Sequence, residues 1–377
     1  MAGSPGSKVL ATEYNTVAEL VNKIFGDNVT AASVNDPNRK ATHAFGWGAL
    51  NIDDNLALNT PIMADRLQKM VHRTNVMVDH TNITDTILVF NVPTNRQSVL
   101  INTPIRAEDL NVINTKITNS ILPNGIHATV DPTDASALTA TPANGPYQRS
   151  VPWQTELNGE HKWSFNNYDH ARYFFNSGGQ VRLNTQYTGG STAGYYNWAD
   201  IVNEIGMLSF TWDNCIQSSS NNTPGTSEGK GFYDLTDAYG DGTTEEGLLF
   251  TSAGVTVSAY GYGYGYGYGY GYGSGDVYIS SSQNAWVTSG YGYGGEAAGG
   301  YANRRLKLYG KHANNGSEVH FKIVMDDSVF AQVMDGTFSV TLSHLMPDII
   351  TEGTATFDVS PSPVPLITNN FTTADDS

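Results

Sequence analysis

From Tyr260 to Gly273 the chain alternates tyrosine and glycine without interruption, and Tyr291 and Tyr293 repeat the pattern a short way on. In an extended chain successive side chains project to opposite faces. Tyr260, Tyr262, Tyr264, Tyr266, Tyr268, Tyr270 and Tyr272 would therefore form a phenol ladder backed by bare backbone. Tyrosine offers broad, rigid area with a polar tip, and glycine permits close approach; this is the chemistry of contact surfaces. At ~3.3 Å per residue the ladder spans about 45 Å. Each strand-interior glycine costs ~0.5–1 kcal/mol relative to alanine, so the tract needs neighbouring chain or a partner to hold it. The other reading of the same composition is a low-complexity surface loop. These nine tyrosines are the candidate recognition or packing surface.

Other residues invite chemistry less strongly. Asp237, Asp241, Glu245 and Glu246 gather oxygen ligands around turn glycines, but the spacing departs from a twelve-residue calcium loop and reads better as a polar turn. His72 and His80 lie two helical turns apart, about 12 Å, too far to share a metal unless copies of the chain meet on an axis. Asp326-Asp327 and Asp335-Gly336 fit strand-end turns better than a glycosidase pair. No nucleophile elbow is present, and the Gly-x-Gly series within the tract lacks the following helix of a phosphate loop. The expectation is a protein without catalytic residues, metal or cofactor.

The bulk composition points the same way. A net charge of −16 offers no basic stripe to displace counterions from phosphate, which argues against nucleic acid as a partner. Charged residues make up only 15%, below a norm of ~25%, while Gly, Asn, Thr, Ser and Tyr abound, a mixture that favours β structure. The single cysteine, Cys215, excludes an intrachain disulfide, and its neighbours Phe210, Trp212 and Ile216 suggest a buried, inert thiol. The absence of a secretory pattern at the first residues and of long apolar runs predicts folding in a cytoplasm and no membrane insertion.

The elements that must position these residues fall into three regions: 1–123, a helix-containing anchoring region; 124–160, a connection rich in Pro, Thr, Ala and Gly; and 161–377, a β-sandwich. Thr12 as N-cap, the spacing of Tyr14, Val17, Val21, Ile24 and Phe25, and Gly26 as stop predict a first helix. A second is predicted from about Pro61 to Asp79. Ile83 to Ile113 reads as strand-like runs, notably 87–90 and 99–101, which makes the anchoring region α/β. Beyond Lys162, short strands separated by turns predict an antiparallel sandwich, interrupted by helices near Tyr168–Asn176 and Asn197–Gly206. The Gly/Tyr-rich insertion, 259–303, sits between strands as an excursion from one end. The fold class is thus mainly β, with an N-terminal α/β region.

The segment His170 to Leu183, with Trp198-Ala-Asp-Ile201, Ile205 to Phe210, Phe357-Asp-Val359 and the Pro361-Ser-Pro-Val-Pro365 tail, resembles a module of virion structural proteins of tailed bacteriophages, particularly large myophages. The two early helices are similar to the N-terminal part of such proteins, whereas the Tyr-Gly tract lies outside the resemblance. It implies a non-enzymatic virion component of the tail, baseplate or tail fibre. Its partners would be other virion proteins and copies of itself, a trimer if it is a fibre, with a host-surface glycan or protein as a further contact. Rival readings are an architectural capsid or neck decoration, a virion-borne glycan depolymerase with a site shared across a trimer interface, and a bacterial surface-layer protein. In physical terms Tyr173, Phe174 and Phe175 would plug a helix against a sheet, and Gly178-Gly179 would make the tight exit into the next strand.

Overall fold

The computed structural model describes residues 9–26, 34, 36, 38–49, 51–60, 62, 64–80, 107–122, 144–218, 225–240, 245–252, 257–259, 277–279, 285–287, 305–327, 333–345, 350–352, 355–357 and 366–373. Helix α1 spans Ala11–Phe25, a short α2 spans Arg39–His43, α3 spans Ala64–His80, and α4, Ala107–Lys116, runs on into a π-helical turn over Ile117–Ile121. Strands β1 (Asn144–Arg149) and β2 (Glu156–Ser164) precede α5 (Tyr168–Asn176). Then come β3 (Gln180–Thr188), α6 (Ala193–Ile205), β4 (Met207–Phe210), β5 (Cys215–Ser218), β6 (Thr226–Ser227) and β7 (Leu248–Thr251). The chain continues through β8 (Val257–Ala259), β9 (Val277–Ile279), β10 (Ala285–Val287), β11 (Leu306–Ala313), β12 (Glu318–Asp326) and β13 (Thr337–Leu345). It closes with β14 (Ile350–Glu352), β15 (Ala355–Phe357) and β16 (Leu366–Thr373).

Two antiparallel sheets dominate, ordered β1-β13-β3-β4-β5 and β16-β2-β12-β11-β7-β6. Strict alternation explains why they face each other. On β12, Val319, Phe321, Ile323 and Met325 are buried while the residues between them are partly exposed, and β2 buries Leu157, His161 and Trp163 in the same rhythm. The other sheet answers with Val181, Leu183, Leu208, Phe210, Phe338, Val340 and Leu342 in one continuous cluster. Phe210 meets Phe321 edge-on across the gap, ring centroids 4.9 Å apart, so the two inner faces interdigitate as an antiparallel sandwich. Burying each such side chain contributes roughly 1.5–3 kcal/mol.

Helix α5 plugs one end of the sandwich. Asn167 caps it by accepting from the His170 N–H at 2.9 Å, and the chain leaves through Gly178 at φ +92°. Phe174 and Phe175 enter the core: Phe175 stacks on Phe232 at 4.5 Å and meets Phe210 at 5.7 Å. Tyr173 departs from the expected plug. It lies outside the core, under the Arg172 guanidinium at 4.5 Å and against Gly48, where a methyl group would sit 2.4 Å from its ring.

The helical region holds a second core, with Tyr14, Val17, Val21, Ile24 and Phe25 of α1 packed with Trp47, Met70, Met77, Leu110, Ile113, Ile117 and Ile121. Three expectations are corrected. Thr12 does not cap α1 but lies in its first turn, and the Glu13 carboxylate accepts from the Leu10 N–H at 3.0 Å instead. Residues 107–113, read as part of a strand-like stretch, are helical because Ala107, Leu110, Ile113, Ile117 and Ile121 recur on one buried face. Residues 144–149 and 156–160, read as connection, carry β1 and the start of β2. Pro146 is tolerated in β1 because that strand is an edge. The expected strands at 87–90 and 99–101 lie outside the described residues.

Candidate functional site

All nine candidate tyrosines lie outside the described residues, but the strands that flank them are in place. β7 and β11 are hydrogen-bonded neighbours, Thr251 opposite Lys307, and the exchange continues with Ser252 N–H to Leu306 O and Leu306 N–H to Ser252 Oγ, both 2.9 Å. The chain between Ser252 and Arg305 therefore leaves and re-enters the six-stranded sheet at one point. Within it, β8 and β9 pair antiparallel, Ala259 opposite Val277, and β10 adds to β9, so Tyr260 to Gly273 belongs to the connection of a hairpin. The insertion therefore starts and ends on paired strands, while the tyrosines themselves lie outside the described residues.

The opposite end carries a buried polar junction with the helical region. β11 runs from Leu306 beside the insertion to Ala313, seven residues or about 24 Å away. There the Asn314–Gly316 turn packs Gly316, φ +81°, against Val34 and Tyr168. Arg172 and Asn176, one turn apart on α5, grip backbone carbonyls of the segment after α2. Arg172 Nη1 donates to Phe45 O at 2.6 Å, and Asn176 Nδ2 reaches the carbonyls of His43, Phe45 and Gly46 at 2.9, 2.9 and 3.0 Å. Tyr233 closes the cradle, its hydroxyl 2.8 Å from His43 O and 2.7 Å from Asn176 Oδ1. In the other direction Arg39 donates to the carbonyls of Val34, Tyr233 and Leu235, and Lys40 pairs with Asp234 at 2.9 Å.

This junction is chemically quiet. Burial raises the Tyr233 phenol well above its ordinary range and pushes Tyr168 up to about 12. Burial, with the positive charge of Arg172 beside it, holds the His43 imidazole below its usual value, and its Nδ1 lies 3.1 Å from the Tyr168 hydroxyl. The Arg39, Arg172 and Asn176 side chains direct donors at main-chain carbonyls of the segments they join. Sequence reasoning treated Arg172 and Asn176 as packing and passed over Arg39, His43 and Tyr233. The available signal was two polar residues at i and i+4 on a helix otherwise rich in buried aromatics.

The same device recurs. Asn22 donates to Ile52 O at 2.7 Å and accepts from Ile52 N–H at 2.8 Å, Asn15 does likewise with Leu56, and Asn203 with Tyr187. Asparagine amides here act as substitute ladder partners for main chain that lacks a strand neighbour.

The remaining candidates resolve into structural parts. Cys215 is buried, and desolvation pushes its thiol up to about 12, leaving no nucleophile near neutral pH. Asp335 accepts from the N–H and the hydroxyl of both Ser191 and Thr192 at 2.7–3.0 Å; desolvation is the largest single influence and raises its carboxyl, but the four bonds together outweigh it and hold the group well below the usual range. It thereby ties the two residues that precede α6 to a loop distant in sequence. Glu245 pairs with Lys307, while Asp241 lies outside the described residues. His72 is partly buried on α3, and His80 closes that helix. Among the described residues no three His, Cys, Asp or Glu side chains converge as metal ligands, and no helix is long and apolar enough to cross a membrane. No family model, curated protein or solved structure matches this chain.

Proposed function

We propose that this chain is a non-enzymatic structural protein of a tailed-phage particle, held at one end by its helical region and making contacts at the other through its Tyr/Gly-rich excursion. One observation carries the reading: the excursion departs from and returns to adjacent strands at the end of the six-stranded sheet farthest from the helical junction. Loops on a rigid scaffold are where recognition concentrates, and tyrosine suits a sugar face or a protein surface. The resemblance of His170–Leu183 to phage virion proteins supplies the setting, and those residues act here as packing. The partners on this reading are other virion proteins, copies of the chain and a host-surface glycan or protein.

Deleting Tyr260 to Gly273 tests it. Particles carrying the deletion assemble normally and adsorb poorly to host cells. Normal adsorption overturns the recognition role; failed assembly with a folded subunit assigns the tyrosines to subunit packing instead. Release of sugar from host envelope by the purified protein would overturn the non-enzymatic reading.

A further inference from the structure

The hairpin between β11 and β12 turns through Asn314, Asn315 and Gly316, whose φ angles of +49°, +55° and +81° all lie in the left-handed region. Among the described residues Asn59 is the only other non-glycine there. Bonds on both sides hold the turn: Ser317 N–H and Oγ donate to Asn314 O at 3.3 and 2.9 Å, and Phe165 N–H donates to Ser317 O at 2.8 Å. Gly316 is buried so tightly that a methyl group on it would sit 2.4 Å from Val34 Cγ1 and 2.7 Å from Tyr168 Cδ2. Asn315 beside it is exposed to water. An asparagine followed by glycine readily loses its side-chain amide, because no side chain shields the next main-chain nitrogen from the asparagine Cγ. Ring closure brings that nitrogen and Cβ to the same side of the Cα–C bond, at a ψ of about −120°. Asn315 has ψ +38°, which puts them on nearly opposite sides.

We propose that Asn315-Gly316 is a latent deamidation site, kept shut by the left-handed turn and opened to reaction when the junction with the helical region comes apart, so that a reversible opening becomes permanent. Once Gly316 leaves Val34 and Tyr168, ψ of Asn315 is free to rotate. The Gly316 nitrogen gives its proton to solvent and bonds to Asn315 Cγ; the Cγ–Nδ2 bond breaks, and the amide nitrogen leaves as ammonia with a proton from water. Water then opens the cyclic imide, at the main-chain carbonyl to give isoaspartate or at Cγ to give aspartate. Nothing is oxidised or reduced. Isoaspartate carries the main chain through its Cβ, which adds one atom to the turn and leaves a new carboxylate on it. Gly316 has no slack against Val34 and Tyr168, so the lengthened turn does not reseat. Asn158-Gly159 supplies the contrast. It lies in β2, paired with β12 on one side and β16 on the other, and reacts only when the sheet itself unfolds. The inference is independent of the virion reading and of the Tyr-Gly tract.

The test uses the full chain, incubated in mildly alkaline buffer and mapped by mass spectrometry that separates isoaspartate from aspartate. Rates at Asn315 and Asn158 are each referred to those of the urea-unfolded chain. Asn315 converts at least ~10-fold more slowly in the folded protein than in urea, since only the open fraction reacts. Two variants, each checked as folded by circular dichroism, then loosen the turn's seat: Asn176→Ala weakens the junction, and Val34→Ala removes the group packed on Gly316. Both raise the Asn315 rate at least ~10-fold above that of the native protein, while Asn158 lags behind. The purified isoaspartyl form melts below the unmodified protein. Equal Asn315 rates in the folded and unfolded chain, a native rate in either folded variant, Asn315 and Asn158 converting in step, or an unchanged melting temperature overturns the proposal.

Discussion

Replacing Asn176 with alanine removes the centre of the junction between the sandwich and the helical region. Its amide has two N–H donors shared among three carbonyls, those of His43, Phe45 and Gly46, and its oxygen faces the Tyr233 hydroxyl at 2.7 Å. Three hydrogen bonds are therefore lost at a site with no exposure. At a net ~1 kcal/mol each, the cost is about 3 kcal/mol. Tyr233→Phe removes a hydroxyl that can donate only one hydrogen bond at a time, to His43 O or to Asn176, and costs ~1 kcal/mol. Because the two side chains touch, the double variant departs from additivity by at least ~0.5 kcal/mol. Urea unfolding at constant m-value measures all four corners of the cycle. An Asn176→Ala cost below ~0.5 kcal/mol, or strict additivity, would show that water or a shifted main chain replaces the clamp, and the account of the junction would fail.

His312 and His344, two buried core histidines, contribute to the acid dependence of stability, as does His43. Burial lowers His312 to about 3 and His344 to about 4, so below pH ~6.5 the unfolded chain takes up protons that the folded one refuses. Stability therefore falls as pH drops through that window, by up to ~1.4 kcal/mol per pH unit for each histidine, and replacing His344 with leucine lowers the measured slope by up to that amount. An unchanged slope refutes the assignment. Asp335→Asn weakens the four charge-assisted bonds to Ser191 and Thr192 and costs ~1–2 kcal/mol at pH 7 in denaturant unfolding. The folded carboxyl titrates below its unfolded value, so its contribution is present above pH ~4 and is lost at lower pH, where wild type and variant converge.

The sandwich was legible because its inner faces obey a two-residue rhythm, as in Val319, Phe321, Ile323 and Met325 of β12. Helix α5 was legible because its buried aromatics run into a Gly-Gly exit. Helix α4 was hidden by its β-branched residues Val112, Ile113 and Thr115, whose strand preference is overridden by packing on α1 and α3. β1 was hidden by Gly145-Pro146, which reads as a turn until the strand is known to lie at an edge. The junction was illegible for a deeper reason. Arg172 and Asn176 bind main-chain atoms some 130 positions away, and a carbonyl has no side-chain identity for a sequence pattern to record.

Because β7 and β11 lie side by side where the excursion begins and ends, the sandwich is indifferent to how many Tyr-Gly units lie between them. Doubling the length of a connecting segment adds only ~0.6 kcal/mol of closure cost. Gain or loss of dipeptides, the commonest copying error in a simple repeat, thus alters reach and the number of phenols offered while leaving the scaffold's fold untouched. Should the tract make the contacts proposed for it, avidity would change in inherited steps of two residues.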